Sequence, residues 1–260
     1  MRPSEKISAA IRQAPGGTAV VAFVTAGFPS REKFREHLTQ VGNAADVVEI
    51  GVPFTDPMAD GMTIQRSSRE ALRQGVTLRW VLEELAAMQK AGQLPRAPLL
   101  LMSYLNPLLA FGFTELAAAA ANSGVCGFIV PDLPYDESDD FRAALEPHGV
   151  GLIQMVTPVT QPERLARLCA ATQGFVYAVT MTGTTGRTAA VPAEVTSYLD
   201  AVRKASKLPV CAGFGIRGRA QVAQLEGHVE GVIVGSALVE VMENGQDAGE
   251  FLRSLRPSGA

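Results

Sequence analysis

The stretch Val47-Val48-Glu49-Ile50-Gly51-Val52-Pro53-Phe54-Thr55-Asp56-Pro57-Met58-Ala59-Asp60-Gly61 sets in series an apolar run, a Pro- and Gly-punctuated loop and two acids, ahead of a helical segment at 63–74. An apolar run without polar alternation is the pattern of a strand covered on both faces, as in a parallel sheet. Glu49 sits inside that run. Burying an ionisable carboxyl is costly unless the group is paired or used, so an acid at an apolar strand end calls for an explanation, either a pairing with a polar group of a neighbouring strand or a function.

Outward from this stretch the pattern repeats. Apolar or β-branched runs occur at 19–25, 47–51, 99–103, 127–130, 151–156, 174–180, 209–213 and 231–235, separated by segments of helical period at 32–41, 78–91, 113–122, 138–145, 162–171, 195–206 and 219–225. Ser30, Thr77, Ser138 and Thr160 are candidate helix N-caps. Alternating strands and helices of this number predict an α/β chain, a closed (β/α)₈ TIM barrel, rather than an open doubly wound sheet. A further helix at 4–13 precedes the first strand and is expected to cap the bottom of the barrel. No Gly/Ser linker or charge block divides the chain, so residues 1–260 read as one domain. The second and sixth βα loops, 53–61 and 181–192, are long and belong to the catalytic face, with composition suited to a lid.

Composition narrows the partners. At 260 residues, 47% hydrophobic, 19% charged and a formal net charge of −3, the chain gives no electrostatic reason to expect nucleic acid or an acidic membrane. No apolar run reaches the length of a membrane span and the first residues lack a signal-peptide pattern, so a soluble cytoplasmic protein is expected. Cys126, Cys169 and Cys211 are odd in number and far apart, and read as buried free thiols.

Three glycine-containing segments fall after the sixth, seventh and eighth strands: Thr182-Gly183-Thr184-Thr185-Gly186, Gly213-Phe214-Gly215-Ile216 and Val234-Gly235-Ser236-Ala237. Barrels hold phosphate at the loops after strands 7 and 8 and at a helix N-terminus, which makes Gly215, Gly235 and Ser236 the best donors. Glu49, desolvated, suits a general acid; Asp60, on a polar loop, is expected to stay ionised and to accept a proton or hold a cationic centre. A second reading of Asp60, as N-cap of the following helix, stays open. Lys6, Lys33, Lys90, Lys204 and Lys207 lie in helices or their flanks, which argues against a Schiff-base aldolase. His37, His148 and His228 are equally scattered, so a zinc-dependent aldolase lacks ligands and no metal site is expected. No Gly-x-Gly-x-x-Gly follows the first strand to indicate a dinucleotide. Cofactor-free acid/base work on a phosphorylated substrate remains. Phe23, Leu101, Tyr104, Phe128, Ile153, Tyr177 and Phe214 are candidate pocket residues, Tyr104 and Tyr177 foremost because a phenol at a strand end needs a partner for its hydroxyl.

These residues resemble the tryptophan synthase α-subunit family. The resemblance is carried by 23–27 (FVTAG), 49–57 (EIGVPFTDP), 59–61 (ADG), 64–66 (IQR), 102–107 (MSYLNP), 130–134 (VPDLP), 183–186 (GTTG), 213–216 (GFGI) and 235–237 (GSA), in family order along nearly the whole chain. It implies retro-aldol cleavage of indole-3-glycerol phosphate to indole and glyceraldehyde 3-phosphate. It also implies a β subunit in an α2β2 heterotetramer, which takes the indole through a tunnel and carries its own pyridoxal phosphate, with no cofactor in this chain. On this resemblance Glu49 is the acid that protonates indole C3 and then the base on the glycerol hydroxyl, and Asp60 is the carboxylate at the indole N–H. Gly186, Gly215, Gly235 and Ser236 match phosphate positions, and Phe23, Leu101, Tyr104, Tyr177, Thr185 and Phe214 match pocket or loop positions. The loops at 56–60 and 182–187 are expected to close over substrate and respond to the β subunit. Arg217, Glu230 and the segment Thr180-Met181-Thr182 depart from the family's usual residues. A stand-alone lyase releasing indole, a different phosphate-binding barrel such as an isomerase, and a barrel kept as allosteric activator of a β subunit are the alternatives.

Overall fold

The computed structural model describes residues 1–180, 191–213 and 215–257. Eight strands, β1 (Ala19–Thr25), β2 (Val47–Gly51), β3 (Leu99–Met102), β4 (Val125–Ile129), β5 (Gly151–Val156), β6 (Val176–Val179), β7 (Val210–Gly213) and β8 (Gly231–Val234), pair in sequence order, and β8 pairs back onto β1. Every pairing is parallel, so the sheet closes into the expected barrel. Helices α1 (Pro3–Arg12), α2 (Phe34–Gly42), α3 (Met62–Arg73), α4 (Leu78–Lys90), α5 (Leu105–Phe111) and α6 (Phe113–Asn122) belong to the first half. Helices α7 (Asp139–Leu145), α8 (Pro162–Ala171), α9 (Ala193–Ala205), α10 (Arg219–Leu225), α11 (Ser236–Glu243) and α12 (Ala248–Ser254) follow.

The unalternated strand runs have the reason anticipated for them: both faces are buried. One set of side chains, including Val20, Val48, Ile50, Leu101 and Val232, packs outward against the helices. The alternate set, including Val21, Val47, Leu100, Ile153, Phe175 and Ile233, fills the barrel interior. Helix α1 closes the bottom of the barrel, as expected. Ile7 and Ile11 are buried in that same interior cluster, and the Ser4 amide and Ser8 hydroxyl donate to the Gly149 and Gly174 carbonyls.

At the same end, side chains satisfy strand N–H groups that have no strand partner. Asp46 Oδ2 accepts from Val20 N at 2.7 Å, and Glu230 Oε2 from Val210 N at 2.8 Å. Of the candidate caps, Thr77 accepts from Trp80 N as expected. Ser30 and Thr160 do not cap: α2 starts after Lys33 and α8 after Gln161, and the Thr160 hydroxyl instead accepts from Thr157 N. Ser138 occupies the N-cap position of α7, but its hydroxyl donates to the Tyr135 carbonyl. Helices α5 and α12, of seven residues each, are two that the periodicity reading did not include. No helix of the described residues is long and apolar enough to cross a membrane. The three thiols are free and buried.

Candidate active site

Glu49 lies in β2 between Phe23 of β1 and Leu100 of β3, on the alternation that points into the barrel. Its side chain is wholly buried, and among the described residues neither carboxyl oxygen has a hydrogen-bond partner. Burial first, and the charge of nearby Asp60 second, push its pKa up to about 8. A buried carboxyl without a partner is a poor structural element and a good proton donor at neutral pH.

Asp60 is carried on the loop between β2 and α3. That loop is folded inward by turns in which Met58 N donates to the Asp56 carbonyl and Asp60 N to the Pro57 carbonyl. Asp60 is therefore half-buried, and its pKa is raised by desolvation, opposed by a hydrogen bond from Tyr104. The loop's polar sequence does not reveal that it turns over a cavity, so this burial was not legible there. Nor is Asp60 a helix cap: Gly61 holds the N-cap position of α3 with no side-chain cap bond, and the Asp60 carboxylate faces Tyr104 instead.

Tyr104 is buried at the start of α5. Its hydroxyl accepts from Ala59 N at 2.9 Å and donates to Asp60 Oδ2 at 3.1 Å, while its ring stacks on Phe54 at 5.3 Å. The start of α5 is itself anchored, since Leu105 N donates to Asp132 Oδ1 at 2.8 Å. The two motifs MSYLNP and VPDLP thus meet in space. Tyr177 points inward from β6, and burial followed by the charges of Glu49 and Asp60 keeps its phenol neutral. Two glycines make room for the aromatic walls. A Cβ on Gly51 would lie 2.4 Å from Phe23 Cζ, and one on Gly213 would lie 2.9 Å from the Tyr177 hydroxyl.

A cavity of about 600 Å³ opens at the C-terminal end of the strands, with Tyr104 bonded to Asp60 but outside its lining. Phe23, Glu49, Asp60 and Tyr177 contribute to it, together with Gly215, Gly235 and Ser236. Gly235 precedes α11 without a side-chain cap, so the first N–H groups of that helix are left for another acceptor. Gly215 adopts φ +67°, a turn that favours glycine.

Leu101 is placed elsewhere. It is fully buried against the outer helices, and the β3 residue in the cavity is Met102. The reason is the two-residue period: Leu100, paired with Glu49, points inward, so Leu101 points out and Met102 in. Phe128 likewise faces the helices, and Ile153 lies in the barrel interior rather than at the cavity. Thr185, Gly186 and Phe214, and nearly all of the sixth-loop lid, fall outside the described residues. Sequence reading missed Met102, Ile64 and Thr180, which line the cavity. Only the alternation from Glu49 carried across the register could have found Met102.

The model of the family "Tryptophan synthase alpha chain" matches residues 10–256. The chain belongs to this tryptophan synthase α-chain family. The α chain of Nitratidesulfovibrio vulgaris Hildenborough is 44% identical over 243 residues, covering 93% of each chain, and that of Solidesulfovibrio magneticus is 43% identical over 94% of each. Among solved structures, the α subunit from Legionella pneumophila str. Paris superposes with TM-score 0.86 at 31% identity, covering 98% of this chain and 97% of that one. A chain of Mycobacterium tuberculosis tryptophan synthase in an open form gives TM-score 0.85 at 33% identity, with the same coverage.

The departures from the tryptophan synthase α-chain pattern have local partners. Glu230 joins Arg203 across 2.7 Å while capping Val210 N, and the Thr180 hydroxyl donates to the Gly213 carbonyl at 2.7 Å. Arg217 is held by Glu240.

Proposed function

We propose that this chain, acting as one barrel domain, cleaves indole-3-glycerol phosphate by retro-aldol chemistry to indole and glyceraldehyde 3-phosphate, a carbon–carbon lyase reaction run by two carboxyls. The observation that carries it is Glu49: a wholly buried acid with no hydrogen-bond partner among the described residues, pushed to about pKa 8, in a cavity shared with Asp60. Protonated Glu49 delivers its proton to indole C3, and Asp60 accepts the ring N–H as positive charge develops there. The Glu49 carboxylate then takes the proton of the hydroxyl on the adjacent glycerol carbon. The carbon–carbon bond breaks, the carbonyl forms, and the electron pair returns to the ring to restore indole. Glu49 ends protonated, ready for another turnover.

Phe23 and Tyr177 would flank the indole ring, and the Gly215, Gly235 and Ser236 end of the cavity would receive the phosphate at the N-terminus of α11. Gly186, Thr185 and Phe214 keep the phosphate and pocket roles that the resemblance implies. The chain would work in the cytoplasm in an α2β2 heterotetramer, passing indole to a β subunit that holds the pyridoxal phosphate. Exposed Met58 and Met62, flanking the Asp60 segment, support a covered surface on this face.

Steady-state cleavage of indole-3-glycerol phosphate by the isolated chain, with and without a β subunit, is the test. A slow rate that rises with β supports the reading, a high rate in isolation supports the stand-alone lyase, and no cleavage in either case overturns both.

A further inference from the structure

A charged cluster on α11 is unused by the reaction as proposed. Glu240, on α11, accepts from Arg217 Nη1 through Oε2 at 2.7 Å and from Arg217 Nη2 through Oε1 at 3.2 Å. The same Oε1 also accepts from Thr63 Oγ1 at 3.1 Å. One turn further on, Glu243 receives both Nε and Nη2 of Arg66, at 2.9 and 2.5 Å. A single helix face thus grips α3 twice and the loop after β7 once.

Each of the three elements so joined supplies the cavity. Ile64, beside Thr63, lines it from α3; Gly215, two residues before Arg217, lines it from the β7–α10 loop; Ser236, one turn before Glu240, lines it from α11. The loop is also held along its backbone, where Arg217 N donates to Gln221 Oε1 at 2.7 Å. An exposed ion pair adds little to global stability, but a two-pronged guanidinium–carboxylate contact fixes direction as well as distance. A cradle of backbone N–H groups needs that control, because affinity for a phosphate falls steeply when its donors are misplaced.

We propose that Glu240 is a positioning residue for the phosphate end of the cavity, with Arg217 as its brace rather than a phosphate ligand. It locks the Gly215 loop to the N-terminal turns of α11 and to the helix that follows Asp60. The proposal rests on reading the Gly215, Gly235 and Ser236 end as the phosphate site.

The test uses the complete chain and the variants Glu240→Ala, Arg217→Met and the charge-exchanged double variant R217E/E240R. KM and kcat for indole-3-glycerol phosphate are measured, with calorimetric affinity for glycerol 3-phosphate and the melting temperature. Both single variants should raise KM about tenfold with kcat changed less than about threefold, weaken glycerol 3-phosphate in parallel, and be largely rescued in the double variant. A fall in melting temperature with KM and phosphate affinity within about twofold of the unaltered chain overturns the proposal. So does a raised KM for Arg217→Met beside a lowered one for Glu240→Ala, which would make Arg217 a direct phosphate ligand. If the unaltered chain cleaves no substrate, the reaction reading falls, and the glycerol 3-phosphate titration alone decides the brace. Affinity lost in both single variants then upholds it, whereas unchanged affinity, or none in the unaltered chain, overturns it.

Discussion

The Tyr104 hydroxyl donates to Asp60 Oδ2 at 3.1 Å while accepting from the backbone N–H of Ala59 at 2.9 Å, so one phenol holds both the acid and the loop that carries it. Removing the oxygen leaves the stack on Phe54 in place and the loop untied. We expect Tyr104→Phe to lower kcat/KM by roughly tenfold to a hundredfold, the worth of a hydrogen bond to a charged group at about 1.5–3 kcal/mol. Because that bond opposes the raised pKa of Asp60, the acid limb of the pH profile should also move upward. An unmoved limb with an unchanged rate would remove Tyr104 from the site.

Glu49→Gln keeps shape and polarity but cannot exchange a proton. Turnover should fall by about 10²–10⁴-fold while substrate binding persists, as read by equilibrium dialysis. Residual activity above a few per cent would end the assignment of Glu49 as the acid.

The pH dependence has a definite sign. Glu49 must be protonated to donate, so kcat/KM should decline as pH rises through about 8. Stability follows from the same shift. The folded chain keeps a proton on Glu49 that the unfolded chain loses above about 4.5, so stability falls with rising pH across the window from 4.5 to about 8. Urea titrations should show this slope, approaching ~1.4 kcal/mol per pH unit, in the unaltered chain and not in Glu49→Gln. Parallel curves for the two proteins would contradict it.

Gly51→Ala should act on the pocket without touching an acid. Its new methyl group would lie 2.4 Å from Phe23 Cζ, so the ring, which lines the cavity, must shift. Overpacking of this kind costs ~1–3 kcal/mol. KM should rise several-fold and the melting temperature fall; a normal KM would show that Phe23 is not a wall of the substrate site.

At the opposite end of the barrel, Arg256 Nη2 donates to Asp46 Oδ2 and to the Ala44 carbonyl, both at 2.9 Å, and Asp46 in turn holds Val20 N. Both side chains are nearly buried. Arg256→Ala would strand Asp46, costing ~3–5 kcal/mol, or roughly 10 °C in melting temperature, with catalytic constants unchanged. Calorimetry that finds no loss would show the clasp to be dispensable.

The sequence by itself determined the barrel. Apolar runs such as 19–25 and 47–51, repeated between helical segments, report burial on both strand faces, and that signal is local in the chain. It also singled out Glu49, because an acid in such a run stands out without any knowledge of its neighbours. What it left open depends on direction and on distant partners. In an all-apolar run nothing marks which residues face inward, so Leu101 and Met102 were indistinguishable until pairing with β2 set the alternation. A polar loop reads the same whether it lies in solvent or folds over a cavity, so only the tertiary structure moved Asp60 from a possible cap to a half-buried acid on Tyr104. Arg217 likewise acquired a meaning only through Glu240, 23 residues away in the chain and on the helix of the next βα unit. Hydrophobic patterning is written residue by residue, whereas a site is made where the strands converge, and that convergence is a property of the closed barrel alone.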